Sequence, residues 1–342
     1  MPYLNKKLEN SKLELKNRLV MPPMATAKSE EDGSVNKSII DYYDEKSNGG
    51  YISLIIIEHS YITKQGKANP NQLSIAEDRL VDSLKGLSDI IHKNGSKAVM
   101  QINHAGSAAS ETNTGLQIVG PSAIENPSKN TGEIPKELTK NDIEAIVREF
   151  KEAALRVKNA GFDGVEIHSA HGYLLSQFIS PLTNKRTDEY GGDIKGRIKI
   201  HLEIIKEVRE AVGEDFPILL RLGASDYMEG GLTIEDSTLA SIEFEKAGVD
   251  MLDISGGLCR FSIPGVNEPG YFAPLSKSIK EKVKIPVIVA GGIIDTEVAE
   301  KILSEEKADL IGVARAILKD SNWAKNAMES LGTQVKGNLL QK

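Results

Sequence analysis

The sequence predicts an α/β fold, a (β/α)8 TIM barrel built as one domain over residues 1–342 with an extended loop excursion after the third strand. Three observations carry that prediction. Eight short β-rich runs recur along the chain, several of them are apolar throughout instead of alternating, and most are separated by a segment of helical period. Continuous apolarity is what a parallel strand needs when both of its faces are covered, because neither side meets water. The length is compatible, since α/β barrels run to about 250 residues and beyond as one domain.

In order, the strands read RLVM (18–21), SLIIIE (53–58), KAVMQIN (97–103), GVEIH (164–168), ILLRLG (218–223), MLDISGG (251–257), PVIVAGG (286–292) and LIGVAR (310–315). Residues 3–17 precede the first and are expected to form a short hairpin over the barrel bottom. Three helix-to-strand joints repeat one device: Ala160-Gly161-Phe162-Asp163, Ala247-Gly248-Val249-Asp250 and Lys307-Ala308-Asp309. Glycine closes a helix in the left-handed conformation and the short polar residue turns the chain into the strand. Their unequal spacing excludes a fixed-period solenoid. Residues 106–139, rich in Ser, Asn, Thr, Gly and Pro, are too long for an ordinary connection and read as a functional lid or excursion.

Composition removes several classes of function. With 42 basic and 49 acidic residues the net charge is −7, which argues against a sequence-independent nucleic-acid binder. Cys259 is the single cysteine, so this chain builds no internal disulfide, cysteine zinc site or iron–sulfur cluster, and a reducing cytoplasm is expected. The charged N-terminal residues do not read as a signal peptide, and no apolar run approaches membrane-spanning length, so no membrane association is expected.

Barrel enzymes place their chemistry at the C-terminal ends of the strands. Polar residues crowd there: Glu58 and His59 after strand two, Gln101, Asn103 and His104 around strand three, His168 and His171 after strand four, and Arg221 within strand five. His168, His171 and Tyr173 can converge on the barrel axis. As zinc ligands the histidines would need Glu166 or Asp253 from a neighbouring strand; as hydrogen-bond donors they would grip a substrate oxygen, the favoured reading over two satisfied loop histidines. Arg221 in an apolar strand needs an acceptor, either a locus on a bound flavin that gains negative charge on reduction or an ion pair with Glu166 or Asp253. The pair Gly291 and Gly292 with the Gly312–Arg315 stretch fits the phosphate site that barrels form after strands seven and eight, and Gly256 and Gly257 could extend it. Each glycine pair alone is equally a tight turn, and together they do not distinguish FMN from a sugar phosphate.

Several motifs are specific. His168-Ser-Ala-His171-Gly172-Tyr173, Ser180-Pro-Leu-Thr-Asn184 and Arg186-Thr-Asp-Glu-Tyr-Gly-Gly192 resemble the signature of the old yellow enzyme family. So do Asn17-Arg18-Leu-Val-Met-Pro-Pro-Met24, Gln101-Ile-Asn-His-Ala-Gly106, Gly120-Pro121-Ser122, Arg221-Leu-Gly-Ala-Ser-Asp-Tyr227 and Ala308-Asp-Leu-Ile-Gly-Val-Ala-Arg315, so the resemblance covers nearly the whole chain. It implies an NAD(P)H-dependent FMN oxidoreductase of the single-barrel bacterial type, an ene-reductase. By that resemblance Gln101 reaches the O4/N3 edge of the flavin and Arg221 the N1/O2 edge. Pro23, Met24, Ala25 and Thr26 approach its face or N5, and Gly291, Gly292, Ala314 and Arg315 hold the phosphate. His168 and His171 bind the carbonyl or nitro oxygen of an electron-poor alkene, and Tyr173 is the catalytic proton donor.

The sequence departs from the family at three places. Ala25 stands where one large subgroup has a redox-tuning cysteine, with Thr26 a substitute near N5. His59 replaces a small residue, either as a flavin contact or as a satisfied histidine. Asp193-Ile-Lys-Gly-Arg197 replaces an Asn-Arg pair followed by an aromatic. The resemblance leaves open NADPH or NADH as donor, the physiological acceptor, and a homodimer or homotetramer. Residues 336–342 lack the arginine that some relatives insert into a neighbouring active site. Rival readings are another FMN barrel, a Schiff-base or metal aldolase, and a non-enzymatic flavin-binding protein. The first lacks the His-x-x-His-Gly-Tyr element, the second needs a strand-end lysine or a metal set, and the third has no use for Tyr173.

Overall fold

The computed structural model describes residues 2–9, 11–129 and 131–339, with side chains to residue 332, so the C-terminal segment read for an inserted arginine lies outside the described side chains. Every residue of seven of the eight strand elements is buried, which is why they read as apolar runs in the sequence. They are β1 (Leu19–Met21), β2 (Leu54–Tyr61), β3 (Lys97–Asn103), β4 (Gly164–Ser169), β5 (Ile218–Gly223), β6 (Met251–Ser255), β7 (Val287–Ala290) and β8 (Leu310–Gly312). Only Lys97, at the start of β3, is partly exposed. All neighbours pair in parallel and β8 returns to β1 through Leu19 opposite Ile311, closing the barrel.

Helices cover the outer face: α1 (Lys37–Ser47), α2 (Val81–Lys93), α3 (Lys140–Asn159), α4 (Lys199–Val212), α5 (Ile234–Ala247), α6 (Ala273–Lys280) and α7 (Thr296–Ser304), then α8 (Arg315–Lys319) and α9 (Trp323–Leu339) after β8. The start of α3 shows how local sequence sets a boundary. Thr139 accepts from the Asp142 N–H while the Asp142 carboxylate accepts from Thr139, a capping box that satisfies donors the first turn leaves free.

The expected N-terminal hairpin is present in minimal form, an antiparallel bridge between Leu8 and Leu15. Leu8, Leu13 and Leu15 pack against the inward residues Val99, Leu219 and Ile288 and plug the bottom of the barrel.

The three joints share a clamp that their aspartates build. The carboxylates of Asp163, Asp250 and Asp309 accept from an N–H in the first two residues of the preceding strand: Ala98 at 2.8 Å, Ile218 at 2.9 Å and Val287 at 3.0 Å. Each also pairs with a cation, Lys97, Arg209 and Lys280 respectively. Gly161 (φ +78) and Gly248 (φ +107) make the turn as expected, whereas the third joint turns at Glu306 (φ +54), where a carboxylate-bearing residue carries the left-handed strain. Asp250→Ala should cost about 2–3 kcal/mol, because it strands the Ile218 N–H and one arm of buried Arg209. Urea denaturation measures it, and a change within error would show that the clamp is decorative.

Four strand ends differ from expectation by more than one residue. β2 runs on to Tyr61, so Glu58 and His59 lie inside it, at a register shift between Ile57 and Ser60. An extra residue in one strand re-aims side chains, a device common beside active sites. β6 and β7 stop before their glycine pairs, and β8 ends at Gly312, so that Arg315 opens α8 instead of closing the strand. The excursion after β3 holds a short helix (Glu111–Thr114) and two residue pairs in parallel, Val119–Gly120 and Lys136–Glu137. Buried Arg186 ties it to the barrel by donating to the carbonyls of Pro121 (2.9 Å) and Leu138 (2.6 Å).

Candidate active site

The C-terminal mouth of the barrel brings four aromatic side chains together. The His168 ring centroid lies 5.1 Å from His171 and 5.1 Å from Tyr173, both nearly perpendicular to it, and His59 lies 5.3 Å from Tyr173. His168 ends β4. His171 follows in a left-handed conformation (φ +60), unusual for a residue with a side chain, and its N–H is fixed to the Gly256 carbonyl at 3.1 Å. Gly172 has no substitute: a Cβ there would sit 2.1 Å from Ser128 Oγ. Its carbonyl accepts from Asn126 and Gln177, which locks the turn that presents Tyr173.

The hydrogen bonds fix part of the protonation state. Gln72 uses its amide oxygen on the Ala68 N–H, so its NH2 group donates to His59 Nδ1 at 2.8 Å, and the His59 proton sits on Nε2. His171 Nε2 pairs with Ser255 Oγ at 2.8 Å, whereas His168 Nδ1 is buried without a partner. Burial, reinforced by neighbouring imidazoles and Arg221, holds His168 and His171 well below the usual imidazole range, and His59 at about 4. All three are therefore neutral at pH 7, each with one N–H to offer. Burial raises the Tyr173 phenol above its ordinary value, so it carries its proton. Neutral donors and a protonated phenol around one point suit an oxygen that gains negative charge and a carbon that receives a proton.

Beneath this cluster lies a charged layer. Arg221 sits 3.3 Å from Asp253, its register partner across β5 and β6, without forming a hydrogen bond. Glu166 instead accepts from Gln101 Nε2 at 2.6 Å. Of the two ion-pair partners considered for Arg221, the structure selects Asp253. Burial pushes Asp253 up to about 6, and burial together with the Asp253 charge pushes Glu166 well above the usual carboxylate range. Arg221 Nε, Glu166 Oε1 and both Asp253 oxygens have no hydrogen-bond partner.

On the β1 side, Pro23 and Met24 follow the strand, and the Thr26 N–H donates to Glu58 at 2.8 Å, fixing the backbone of Ala25 and Thr26. Burial lifts the Glu58 carboxyl to about 7. Across the mouth, Gly291 and Gly292 lie under the Tyr271 ring, where a Cβ on Gly292 would come within 2.6 Å of it. Tyr271 accepts from Arg315 Nη2 at 3.2 Å, while Ala314 immediately precedes α8. Gly256 and Gly257 are required by their own turn: added Cβ atoms would meet Arg260 O at 2.0 Å and Asp226 Oδ1 at 2.3 Å. Among the described residues no group of three His, Cys, Asp or Glu side chains could hold a metal, so neither Glu166 nor Asp253 completes a zinc site with His168 and His171. The sequence reading missed Gln72, Ser255, Tyr271 and Arg260; Ser255 directly precedes the glycine pair after β6 and Arg260 follows it by three residues, whereas Gln72 and Tyr271 adjoin no motif.

A family model described as NADH:flavin oxidoreductase / NADH oxidase matches residues 7–334. An NADPH dehydrogenase of Halalkalibacterium halodurans is 39% identical over 324 residues, covering 94% of this chain and 93% of that protein. An NADH oxidase of Thermoanaerobacter brockii is 43% identical over 331 residues, 95% of this chain, which spans only 50% of that relative's length. Among solved structures, morphinone reductase superimposes with a TM-score of 0.84 at 25% identity, covering 96% of this chain and 90% of that one. No described helix is long and apolar enough to cross a membrane.

Proposed function

The chain belongs to the NADH:flavin oxidoreductase / NADH oxidase family, FMN-dependent NAD(P)H oxidoreductases of the old yellow enzyme type, and from that premise we propose that it reduces the C=C bond of activated alkenes such as enones, enals and nitroalkenes. The observation that carries the reading is the placement of the His171 and Tyr173 rings each 5.1 Å from the ring of His168.

The residues present fit FMN. Arg221 keeps a buried N–H unspent, and the backbone that follows Pro23 and Met24 is tied down at Thr26 by Glu58. Gln101 and Arg221 would hold the polar edges of the ring, Pro23, Met24, Ala25 and Thr26 its face. Gly291, Gly292, Ala314 and Arg315 would hold the phosphate, with Tyr271 steadying Arg315. His59, engaged by Gln72, lines the acceptor side. Held there, FMN would supply hydride transfer from NAD(P)H to the alkene.

The remaining work falls to this chain's side chains. Neutral His168 and His171 donate to the acceptor oxygen, withdrawing charge from the double bond and stabilising the negative charge that develops, a contribution of roughly 3–4 kcal/mol per well-placed donor. Neutrality helps, because both rings can stand side by side without repulsion. Tyr173 gives its proton to the α-carbon.

The test is an absorption spectrum of the FMN-loaded protein, titrated with a para-substituted phenol, then mixed anaerobically with NADPH or NADH and finally with cyclohexenone. A long-wavelength band with the phenol, bleaching by one nicotinamide and recovery with the enone support the reading; a protein that takes up no FMN defeats it. His168→Ala or His171→Ala should weaken phenol binding and slow alkene reduction by about 10²-fold, with bleaching by nicotinamide little changed. Equal losses in both half-reactions would show that these histidines do not grip the acceptor.

A further inference from the structure

Outside the residues assigned above, the mouth of the site carries an unexplained cation. Beside His171 and Tyr173 opens a cavity of about 180 Å³ whose lining includes Arg260, Lys129, Ser128 and Asn69 and contains no carboxylate. Two cations and no acid around one opening is a marked asymmetry in a chain of net charge −7. Lys129 is partly spent, 3.6 Å from Glu133 and bonded to the Ala109 carbonyl. Arg260 has no charge partner: among the described residues no carboxylate lies within ion-pair distance of it, and its guanidinium carbon stands only over the Phe261 ring, 5.7 Å from the centroid.

The loop presenting Arg260 is built with care for an exposed segment. Arg260 is left-handed (φ +64), and its N–H closes a turn onto the Gly257 carbonyl at 3.0 Å. The turn is pinned from below by fully buried Asp226, which accepts from the Leu258 N–H at 2.7 Å and from Ser180 and Leu232. Gly256, next to it, holds the N–H of His171. Two strained non-glycine residues are thus tied through one short loop, and neither gains an intramolecular charge partner from the strain. Strain held at a site is a pointer to function. The Arg260 charge also reaches inward, lowering Tyr173 and His171 as minor influences beside burial.

We propose that Arg260, with Lys129, forms an anion subsite at the mouth of the active site, taking a carboxylate or phosphate carried by the molecule whose reacting end lies on His168 and His171. The proposal rests on the alkene-reductase reading and specifies its substrate class: an acceptor with an anionic tail, or the phosphates of the nicotinamide dinucleotide, which share one chemistry.

The experiment uses the FMN-loaded protein and two phenols, 4-hydroxyphenylacetate and its uncharged methyl ester, followed by the flavin band each induces. The acid should bind about tenfold tighter than the ester, the size of one charge-assisted hydrogen bond. In Arg260→Asn, where asparagine keeps the left-handed turn, the preference should vanish, and 0.5 M salt should narrow it in the parent. Bleaching by NADH is compared with bleaching by 1-benzyl-1,4-dihydronicotinamide, which has no phosphate. A slowing in Arg260→Asn confined to NADH assigns the anion to the donor; a change confined to the phenol ratio assigns it to the acceptor. Equal affinity for acid and ester in the parent, with both donors unaffected in the variant, overturns the subsite. Failure of even the ester to perturb the flavin overturns the functional reading instead, so the two failures are told apart.

Discussion

Replacing Tyr173 by phenylalanine is expected to slow alkene reduction by about 10²- to 10⁴-fold while leaving bleaching by NAD(P)H and recovery with a quinone intact. The substitution removes one hydroxyl and little else. The ring keeps its place between His168 and His59, and the backbone that starts the helix Leu174–Ile179 is untouched. What disappears is the proton, which burial keeps on the phenol by raising it above its ordinary value. An alkene needs that proton on carbon, where water is a slow source in a buried site. A quinone needs protons only on oxygen, so its reduction serves as the internal control. Stopped-flow traces of the two half-reactions separate these cases. Alkene turnover at the parental rate would remove Tyr173 from the chemistry and leave it as packing for His168.

The barrel was legible because its strands are buried on both faces: SLIIIE and PVIVAGG carry their environment in their composition. The joint aspartates were legible as turns, but their clamping of a strand 22 to 65 residues away along the chain was not, since that contact depends on tertiary closure. The same limit explains the site. His168, His171 and Tyr173 lie within six residues, so one turn brings them together and the motif shows it. Asp253 and Glu166 come from strands far apart in the chain, and which of them meets Arg221 depends on register across β4, β5 and β6. Tyr271 over Gly292 and Arg260 beside His171 depend on loop conformations that no periodicity encodes. The bulge at Glu58 and His59 was hidden for a related reason: an inserted residue inside an apolar run looks like the end of the strand.

Arg221→Met is expected to destabilise the flavin-free protein by about 3–5 kcal/mol at pH 8, because it leaves the buried acids Asp253 and Glu166 with no cation. The pH dependence follows from the same pair. Asp253 sits at about 6 in the folded chain, against about 3.9 for an unfolded aspartate. Its folded value is raised, so the folded state binds the proton more tightly, and stability from this group is present at low pH and lost as pH rises between those two values. Arg221 opposes the shift by favouring the carboxylate. Removing it moves Asp253 and Glu166 further up, so the loss continues to higher pH in the variant. The deficit against the parent should therefore be small near pH 5 and large at pH 8. Urea denaturation of both proteins across that range measures it, and Asp253→Asn in the Arg221→Met background should recover part of the deficit at pH 8. A deficit independent of pH, or no recovery with Asp253→Asn, would mean that Arg221 contributes by packing and that the charged layer under the mouth is not balanced by it.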